Sequence, residues 1–435
     1  MKDYPSQVKE RLLSLIDEVS QMRSLFVKNP DKDFIRQRKL PFDTIVKFLI
    51  EMGGNSIYKE LLESQGYNAN TATTSAFIQQ RDKILPTAFE FLLHEFTRTH
   101  TNIKKYKGYR LLAIDGSDMQ ISKNPDDLDT YCHNQHEDKV CNLLHLDALY
   151  DLCNGLYLDC IITPNKLKNE YRAFVNMVDR SRINDKAIVL GDRGYESYNN
   201  FAHIEKKGWH YLIRIKDSES TGILSGLDLP ADDEFDITVQ RILTRKQTNE
   251  VKSNPDAYKI LTNRTTFDFL DLHTNKFYPI TFRVIRFKVS DTSYVTVITN
   301  LTDFLPDEIK SLYQLRWGIE TSFRELKYTV GLIHFHAKKV EFIVQEIYAR
   351  IIMYNFVEMV ASYVVISYSD THYFYQVNFT VAVHACRHLL RLYHGLSPPD
   401  IESLIRKNIV PFRPGRKAVR HLRNKSVVSF VYRVA

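Results

Sequence analysis

The stretch YQLRWGIETSFRELK, Tyr313 to Lys327, reads as one helix carrying two separate stripes. At about 100° per residue, Leu312, Leu315, Ile319, Phe323, Leu326 and Val330 fall on one side of the wheel, an apolar line that should face a core. Tyr313, Arg316 and Lys327 fall within roughly 40° of Glu320 and form a polar line about 90° from the apolar one. A carboxylate flanked by two cations and a phenol is thus carried at the rim of a buried face. The same pattern also fits an exposed helix on which Arg316 and Glu320 form an i,i+4 salt bridge worth about 0.2–0.5 kcal/mol.

A chain of 435 residues is long for one domain, so two to four units are expected, with ample length for a sizeable core. The net charge of +7 weakly favours an anionic partner such as nucleic acid. Five cysteines (Cys132, Cys141, Cys153, Cys160, Cys386) make an odd count without CxxC spacing, which suggests neither a disulfide framework nor a zinc ribbon and fits a reducing cytosol. The opening MKDYPSQVKE lacks the apolar core of a signal peptide. The most apolar stretch, NFVEMVASYVVISY, is short and broken by Glu358. A soluble cytoplasmic protein with no membrane contact is the expectation.

Residues 1–105 have helical apolar spacing throughout, in KERLLSLIDEV, FDTIVKFLIEM, SIYKELLESQG and TSAFIQQRDKILPTAFEFLLHEF, and are expected to form an all-helical N-terminal DNA-binding domain. Within it, SIYKELLESQGYNANTATTSAFIQQRDKIL fits a helix-turn-helix presenting Gln79, Gln80, Arg81 and Lys83 to DNA; a plain helical bundle with a solvated polar face fits as well. From Tyr109 the pattern changes to short β-type runs: YRLLAID, LLHLDALYD, GLYLDCII, AIVLGD and HYLIRIK, with helical segments KNEYRAFVNMVDR and NNFAHIEKK around the fourth. Three strands, then helix, strand, helix, strand describe an α/β fold with a ribonuclease-H-like mixed sheet flanked by helices, expected over 106–216 and 291–360. A β-rich insertion, 217–290, interrupts it, and 361–435 should be a helical region ending in a basic tail, KNIVPFRPGRKAVRHLRNKS, suited to solvent or to phosphate contact.

In AIDGSD an apolar strand runs into Asp115, and in VLGDRGY another runs into Asp192. An Asp–Gly at a strand end is often only a turn. Two strand-borne aspartates together with Glu320 on a later helix, however, supply three hard oxygen ligands from rigid elements, the donor set for Mg²⁺ or Mn²⁺. Two such ions can activate an attacking oxygen and stabilise the leaving oxygen in a phosphoryl displacement. Arg316 and Lys327 would then hold phosphates beside the reaction centre, and Tyr313 could add a hydroxyl donor.

The spacing Tyr, two residues, Arg, three, Glu, six, Lys at Tyr313, Arg316, Glu320 and Lys327 resembles the YREK signature of the IS-four family of bacterial insertion-sequence transposases. IDGSD and GDRGY resemble that family's two aspartate blocks, with 76 residues between Asp115 and Asp192 and 127 between Asp192 and Glu320. The helical start, with LPFDTIVKFL and SAFIQQRDKILP, is also similar, so the resemblance spans about residues 30–360. It implies a DDE transposase, working as a homodimer on paired DNA ends in the bacterial cytoplasm. Such an enzyme binds the terminal inverted repeats of its element, cuts the ends with Mg²⁺ or Mn²⁺, two ions in all, and joins them to target DNA. Asp115, Asp192 and Glu320 would be the catalytic metal ligands, and Tyr313, Arg316 and Lys327 would bind the DNA backbone. Some relatives stack a base of a hairpin end on a tryptophan of the β insertion; the two tryptophans here, Trp209 and Trp317, lie outside it.

Several residues carry open alternatives. Asp118 rivals Asp115 as the first ligand. Arg193 could touch phosphate or form a local ion pair. Trp317 could pack or stack on DNA. Gly318, costly inside a helix by about 1 kcal/mol, suits either close DNA approach or a tight helix contact. The group Cys132, His133, His136, Cys141 and His145 lacks zinc-finger spacing. Two other functions remain open: a ribonuclease-H-like nuclease without strand transfer, and a non-enzymatic DNA-binding protein such as a transposition inhibitor or domesticated descendant.

Overall fold

A computed structural model describes residues 4–36, 38–134, 139–216, 222–364, 374–392 and 398–412. Five helices open the chain: α1 (Tyr4–Gln21), α2 (Phe42–Glu51), α3 (Ile57–Ser64), α4 (Thr74–Arg81) and α5 (Thr87–Arg98). Their apolar stripes pack together, and Val8, Leu12, Phe48, Leu49, Phe89 and Phe96 are closed off from solvent.

The sheet begins with β1 (Arg110–Ile121), β2 (Tyr131–Asn134), β3 (Lys139–Asp151) and β4 (Leu156–Pro164). It continues through α6 (Glu170–Arg180), β5 (Ala187–Gly191), α7 (Tyr198–Lys206) and β6 (His210–Arg214). β3 runs antiparallel to β1 and β4, whereas β5 runs parallel to β1 and β6 parallel to β5. Three antiparallel strands followed by two parallel crossovers, in the spatial order β4-β3-β1-β5-β6, are the ribonuclease-H-like core.

The chain then adds β7 (Phe235–Thr244), α8 (Asn249–Ser253), β8 (Tyr258–Ile260), β9 (Phe277–Ser290) and β10 (Ser293–Thr299). β10 joins the edge of β6, and β9, β7 and β8 follow outward, so the later strands extend one ten-stranded sheet. Next come α9 (Pro306–Gln314), α10 (Trp317–Glu325) and a π turn, Leu326–Val330. The remainder is α11 (Val340–Ala361), β11 (Phe374–Val377), α12 (Phe379–Arg391), α13 (Ile401–Lys407) and β12 (Ile409–Phe412).

Alternation along the strands divides the core. Leu112, Ile114 and Val189 face α6 and α7, while Leu111, Ala113, Ile188 and Leu190 face the later helices. α11 is apolar all round and lies buried between the sheet and the N-terminal helices. Asn355 accepts from the Tyr157 amide at 2.9 Å and donates to the Tyr157 carbonyl at 2.7 Å, which ties the helix to β4. The strand in turn holds α10, since the Tyr157 and Ser322 hydroxyls lie 2.8 Å apart.

The helix-turn-helix expectation for α3 and α4 does not hold at Arg81. Arg81 does not reach toward DNA: it is buried, pairs with Glu346 at 2.9 Å and donates to Gln345 at 2.7 Å. Gln80 is buried too, and Lys83 bonds Gln80 at 3.0 Å. The bundle alternative therefore describes α4, whose last turn closes onto α11 because a buried guanidinium needs this carboxylate. Arg81→Ala would strand the Glu346 charge and should cost about 3–5 kcal/mol of unfolding free energy. Chemical denaturation checks this; a loss of DNA affinity with unchanged stability would contradict it.

Candidate active site

The register between β1 and β5 sets up the site. Ala113 lies opposite Leu190, and two residues further along each strand the same register brings Asp115 level with Asp192. Adjacent strands run about 4.8 Å apart, so the two carboxyl groups lie on the same face, toward α9 and α10, near enough for the Asp192 charge to act on Asp115. Beyond this point the partners separate. β5 ends at Gly191 and Asp192 caps a 3₁₀ turn, its Oδ1 accepting from the Gly194 amide at 2.7 Å. β1 continues to Ile121, paired with β3. The point beside Asp115 where the two strands part lies at the carboxyl ends of parallel strands, where α/β sheets bind ligands.

The Asp–Gly of AIDGSD is thus no turn. Gly116 lies within β1 because a Cβ there would meet His145 Nε2 at 2.5 Å. Asp118 points to that other face, where its Oδ1 is 2.5 Å from His145 Nδ1 and 3.4 Å from Lys168 Nζ. The rival first ligand is therefore engaged away from Asp192 and Glu320.

YQLRWGIETSFRELK is not one uniform helix, contrary to the wheel. Between α9 and α10 the amides of Leu315, Arg316, Gly318 and Ile319 bond three residues back, at 2.9–3.2 Å. This tighter step advances the phase, since a 3₁₀ turn takes three residues instead of 3.6. Leu315, expected in the apolar stripe, swings out to 45% exposure, while Tyr313 and Arg316 are drawn into the core edge. Ile319, Phe323, Leu326 and Val330 stay buried as expected. Lys327 falls in the π turn, the second irregularity in the stretch.

The four polar residues converge on the strand ends. Arg316 Nη2 donates to Glu320 Oε1 at 2.8 Å. The i,i+4 pair foreseen for a surface helix forms, yet Arg316 is only 6% exposed and its Nε has no partner. Lys327 Nζ donates to the Ser117 hydroxyl at 2.6 Å and the Asp118 carbonyl at 3.0 Å, docking the π turn on β1 just past Asp115. Trp317 is about half exposed beside Arg316, with the guanidinium 5.3 Å from its ring centroid. Arg193 is exposed and has no ion-pair partner among the described residues. Gly318 packs closely on the turn between β3 and β4, where a Cβ would meet Leu152 Cδ2 at 2.8 Å.

One residue was missed. Arg214 ends β6 in phase with buried Leu212, and its charge acts on the Tyr313 phenol. The signal was available in HYLIRIK, where strand alternation puts Arg214 on the same face as Leu212.

The electrostatics describe a site short of positive charge. Burial raises the Asp115 carboxyl, the Gly116 amide lowers it, Asp192 raises it, and Arg316 and Glu320 act with opposite signs, leaving it at about 6. Three carboxylates from two strands and a helix, one of them this strained, fit a divalent cation. Among the described residues, the groups whose ligand atoms all lie within 4.8 Å of one another are Glu90–His94–Asp159 and His145–Asp147–Glu170; Asp115, Asp192 and Glu320 stand further apart than that. The first adjoins a cavity of about 740 Å³ between α5, β4 and the end of α6, where Arg180 already pairs with Asp159 and Glu90. Cys132 and Cys141 face each other across β2 and β3 as free thiols; the His133 side chain and His136 lie outside the described residues, as does the basic tail beyond 412.

Residues 106–356 match the family model described as "Transposase DDE domain". That is more than half of the chain, and the protein belongs to this family. It is a DNA transposase of the DDE class, an enzyme of metal-dependent DNA cleavage and strand transfer. Among solved structures it is similar to the cryo-EM structure of a piggyBac transposase synaptic complex with hairpin DNA. The TM-score is 0.46 at 8% identity, covering 93% of this chain and 82% of that one. No curated protein matches the chain. Among the described residues no helix is long and apolar enough to cross a membrane.

Asp115 gives a stability prediction. Because its folded pKa is raised from 3.8 to about 6, its contribution is fully present below pH 3.8 and is lost as pH rises through 6. In metal-free protein above pH 7, Asp115→Asn should therefore raise unfolding free energy by on the order of 3 kcal/mol, with no gain near pH 3.5. Denaturant melts at the two pH values decide it, and equal effects at both would refute the raised carboxyl.

Proposed function

We propose that this enzyme is the transposase of an IS-four family insertion sequence, bearing the YREK signature at Tyr313, Arg316, Glu320 and Lys327. It acts on the terminal inverted repeats of its own element and joins them to target DNA. The observation that carries this reading is the level placement of Asp115 on β1 and Asp192 just past the end of β5, with Glu320 close enough for its charge to act on Asp115.

Asp115, Asp192 and Glu320 would hold the divalent ions, Mg²⁺ or Mn²⁺ and two in number. When bound, these supply activation of the attacking oxygen and stabilisation of the leaving oxygen at the scissile phosphate. The protein's own part is to position and to neutralise. Arg316, now bonded to Glu320, is freed toward phosphate once that carboxylate has another cation, and its unpartnered Nε offers a second donor of the guanidinium fork. Lys327 holds the strand beside Asp115 as a point charge, and Arg214 with the Tyr313 hydroxyl contacts the backbone further along the same face. Trp317, exposed at the mouth, stacks on an unpaired base, and Arg193 meets phosphate from the turn after Asp192.

By this reading residues 1–105 form the DNA-binding domain, and 106–216 with 291–360 form the catalytic domain. Residues 217–290 are its β-strand insertion, and 361–435 are a helical and basic C-terminal region that adds phosphate contacts. Two copies work together on the paired ends.

Cleavage of a labelled duplex carrying the element's end, in Mg²⁺, tests the proposal. Asp115→Ala, Asp192→Ala and Glu320→Ala should each cut on the order of a thousandfold more slowly, about 4 kcal/mol of lost transition-state stabilisation. Wild-type cutting by any of the three would remove that residue from the metal set. Arg316→Ala and Lys327→Ala should each weaken end binding and make log K against log salt shallower by about 0.9. An unchanged salt slope would give them a structural role only.

A further inference from the structure

Behind Asp115, on the opposite face of β1, lies a second group of ligand-type side chains that the reaction does not use. His145 and Asp147 project from β3 on the side of Gly116 and Asp118, and Glu170 stands in the first turn of α6. His145 Nε2 is 3.2 Å from Asp147 Oδ1 and 3.4 Å from Glu170 Oε1. Separations of this size are those of neighbouring donors around one ion, since ligands at about 2.1 Å and right angles lie about 3.0 Å apart. The other ring nitrogen, Nδ1, lies 2.5 Å from Asp118 Oδ1. That is the outer carboxylate which, in metal sites, fixes a ligating histidine's tautomer and turns Nε2 to the ion; here Nε2 faces Asp147 and Glu170, and an incoming cation would take the place of its proton.

Two independent observations point to something missing between these groups. Asp147 is wholly buried, yet its Oδ2 has no hydrogen-bond partner. The Tyr195 hydroxyl, also buried and unpartnered, feels the Asp147 charge ahead of those of Asp115, Glu170 and Asp192. Orphaned buried acceptors of this kind mark a bound ion or water. Gly116 completes the cradle, because any side chain there would occupy the space of His145 Nε2. The occupant within the chain is Lys168, 3.0 Å from Glu170 and 3.4 Å from Asp118, which an incoming cation would displace from Glu170.

We propose that His145, Asp147 and Glu170 form a second divalent-cation site, separate from the catalytic carboxylates and built to brace them. One imidazole with two carboxylates favours Mn²⁺, Fe²⁺ or Zn²⁺ over Mg²⁺. The ion ties β3 to α6 directly behind the strand that presents Asp115. Glu170 also borders the loop after Asp192, since a Cβ on Gly194 would lie 3.0 Å from Asp192 Oδ1 and 3.7 Å from Glu170 Oε2. Both aspartates would thus be steadied from the rear.

The test uses the full chain with Asp115→Asn, Asp192→Asn and Glu320→Gln combined, so that the front face no longer competes. Titration with Mn²⁺, followed by electron paramagnetic resonance, should find one ion per chain, and this ion should be lost on adding Glu170→Gln or His145→Gln. Crystals soaked in Mn²⁺ should show an anomalous peak between His145 Nε2, Asp147 and Glu170. Glu170 is partly exposed, so its Gln variant keeps the fold if His145→Gln does not. Absence of bound Mn²⁺ in the triple variant, or an anomalous peak elsewhere, overturns the proposal and leaves the group an ion-paired network closed by Lys168. A peak on the front face in wild type speaks to the catalytic assignment alone.

Discussion

The site rests on forcing two like charges together at the ends of neighbouring parallel strands. Asp115 and Asp192 stand level because β1 and β5 share a register fixed by buried Leu111, Ala113, Ile188 and Leu190, and a slip of one residue would drive that row into the core under α6 and α7, where Leu112, Ile114 and Val189 already pack. Burial above all, with the Asp192 repulsion added to it, holds the Asp115 carboxyl at about 6, a cost borne by the packing of the sheet. Everything placed around the pair answers that charge. Arg316 lowers it, Glu320 adds to it, and a divalent cation would relieve it.

The helices are arranged to serve this point. α10 cannot drift from the sheet while Ile319, Phe323 and Leu326 are buried and Ser322 meets the Tyr157 hydroxyl. α11 secures the strand from behind through Asn355 and gathers the N-terminal helices through Glu346 and Arg81. The 3₁₀ step and the π turn on either side of α10 are where regular geometry gives way. They turn Arg316 inward and set Lys327 on β1, so the irregular backbone falls at the residues that flank Asp115.

Much of this was legible in the chain. The apolar runs ending in Asp115 and Asp192 are strands, and their order around KNEYRAFVNMVDR and NNFAHIEKK dictates a ribonuclease-H-like sheet. What escaped has physical causes. A wheel assumes one angle per residue, so it could not see the tightened turn that exposes Leu315. Arg81 looked like a DNA contact because its partner, Glu346, lies 265 residues away and no local pattern marks a buried ion pair. The glycine after Asp115 resembled a turn signal, but His145 on the neighbouring strand requires it. Arg214 was overlooked because a lone arginine at a strand end carries no motif, only a phase.

The central claim, that Asp115 belongs to a shared cation site with Asp192 and Glu320, is tested most directly by titrating the Asp115 carboxyl carbon by NMR in aspartate-labelled full-length protein. Without divalent ions the account predicts a midpoint near 6, falling below 4 when Mg²⁺ is added and falling much less in the Glu320→Gln variant. A midpoint at the ordinary aspartate value, indifferent to Mg²⁺, would contradict it.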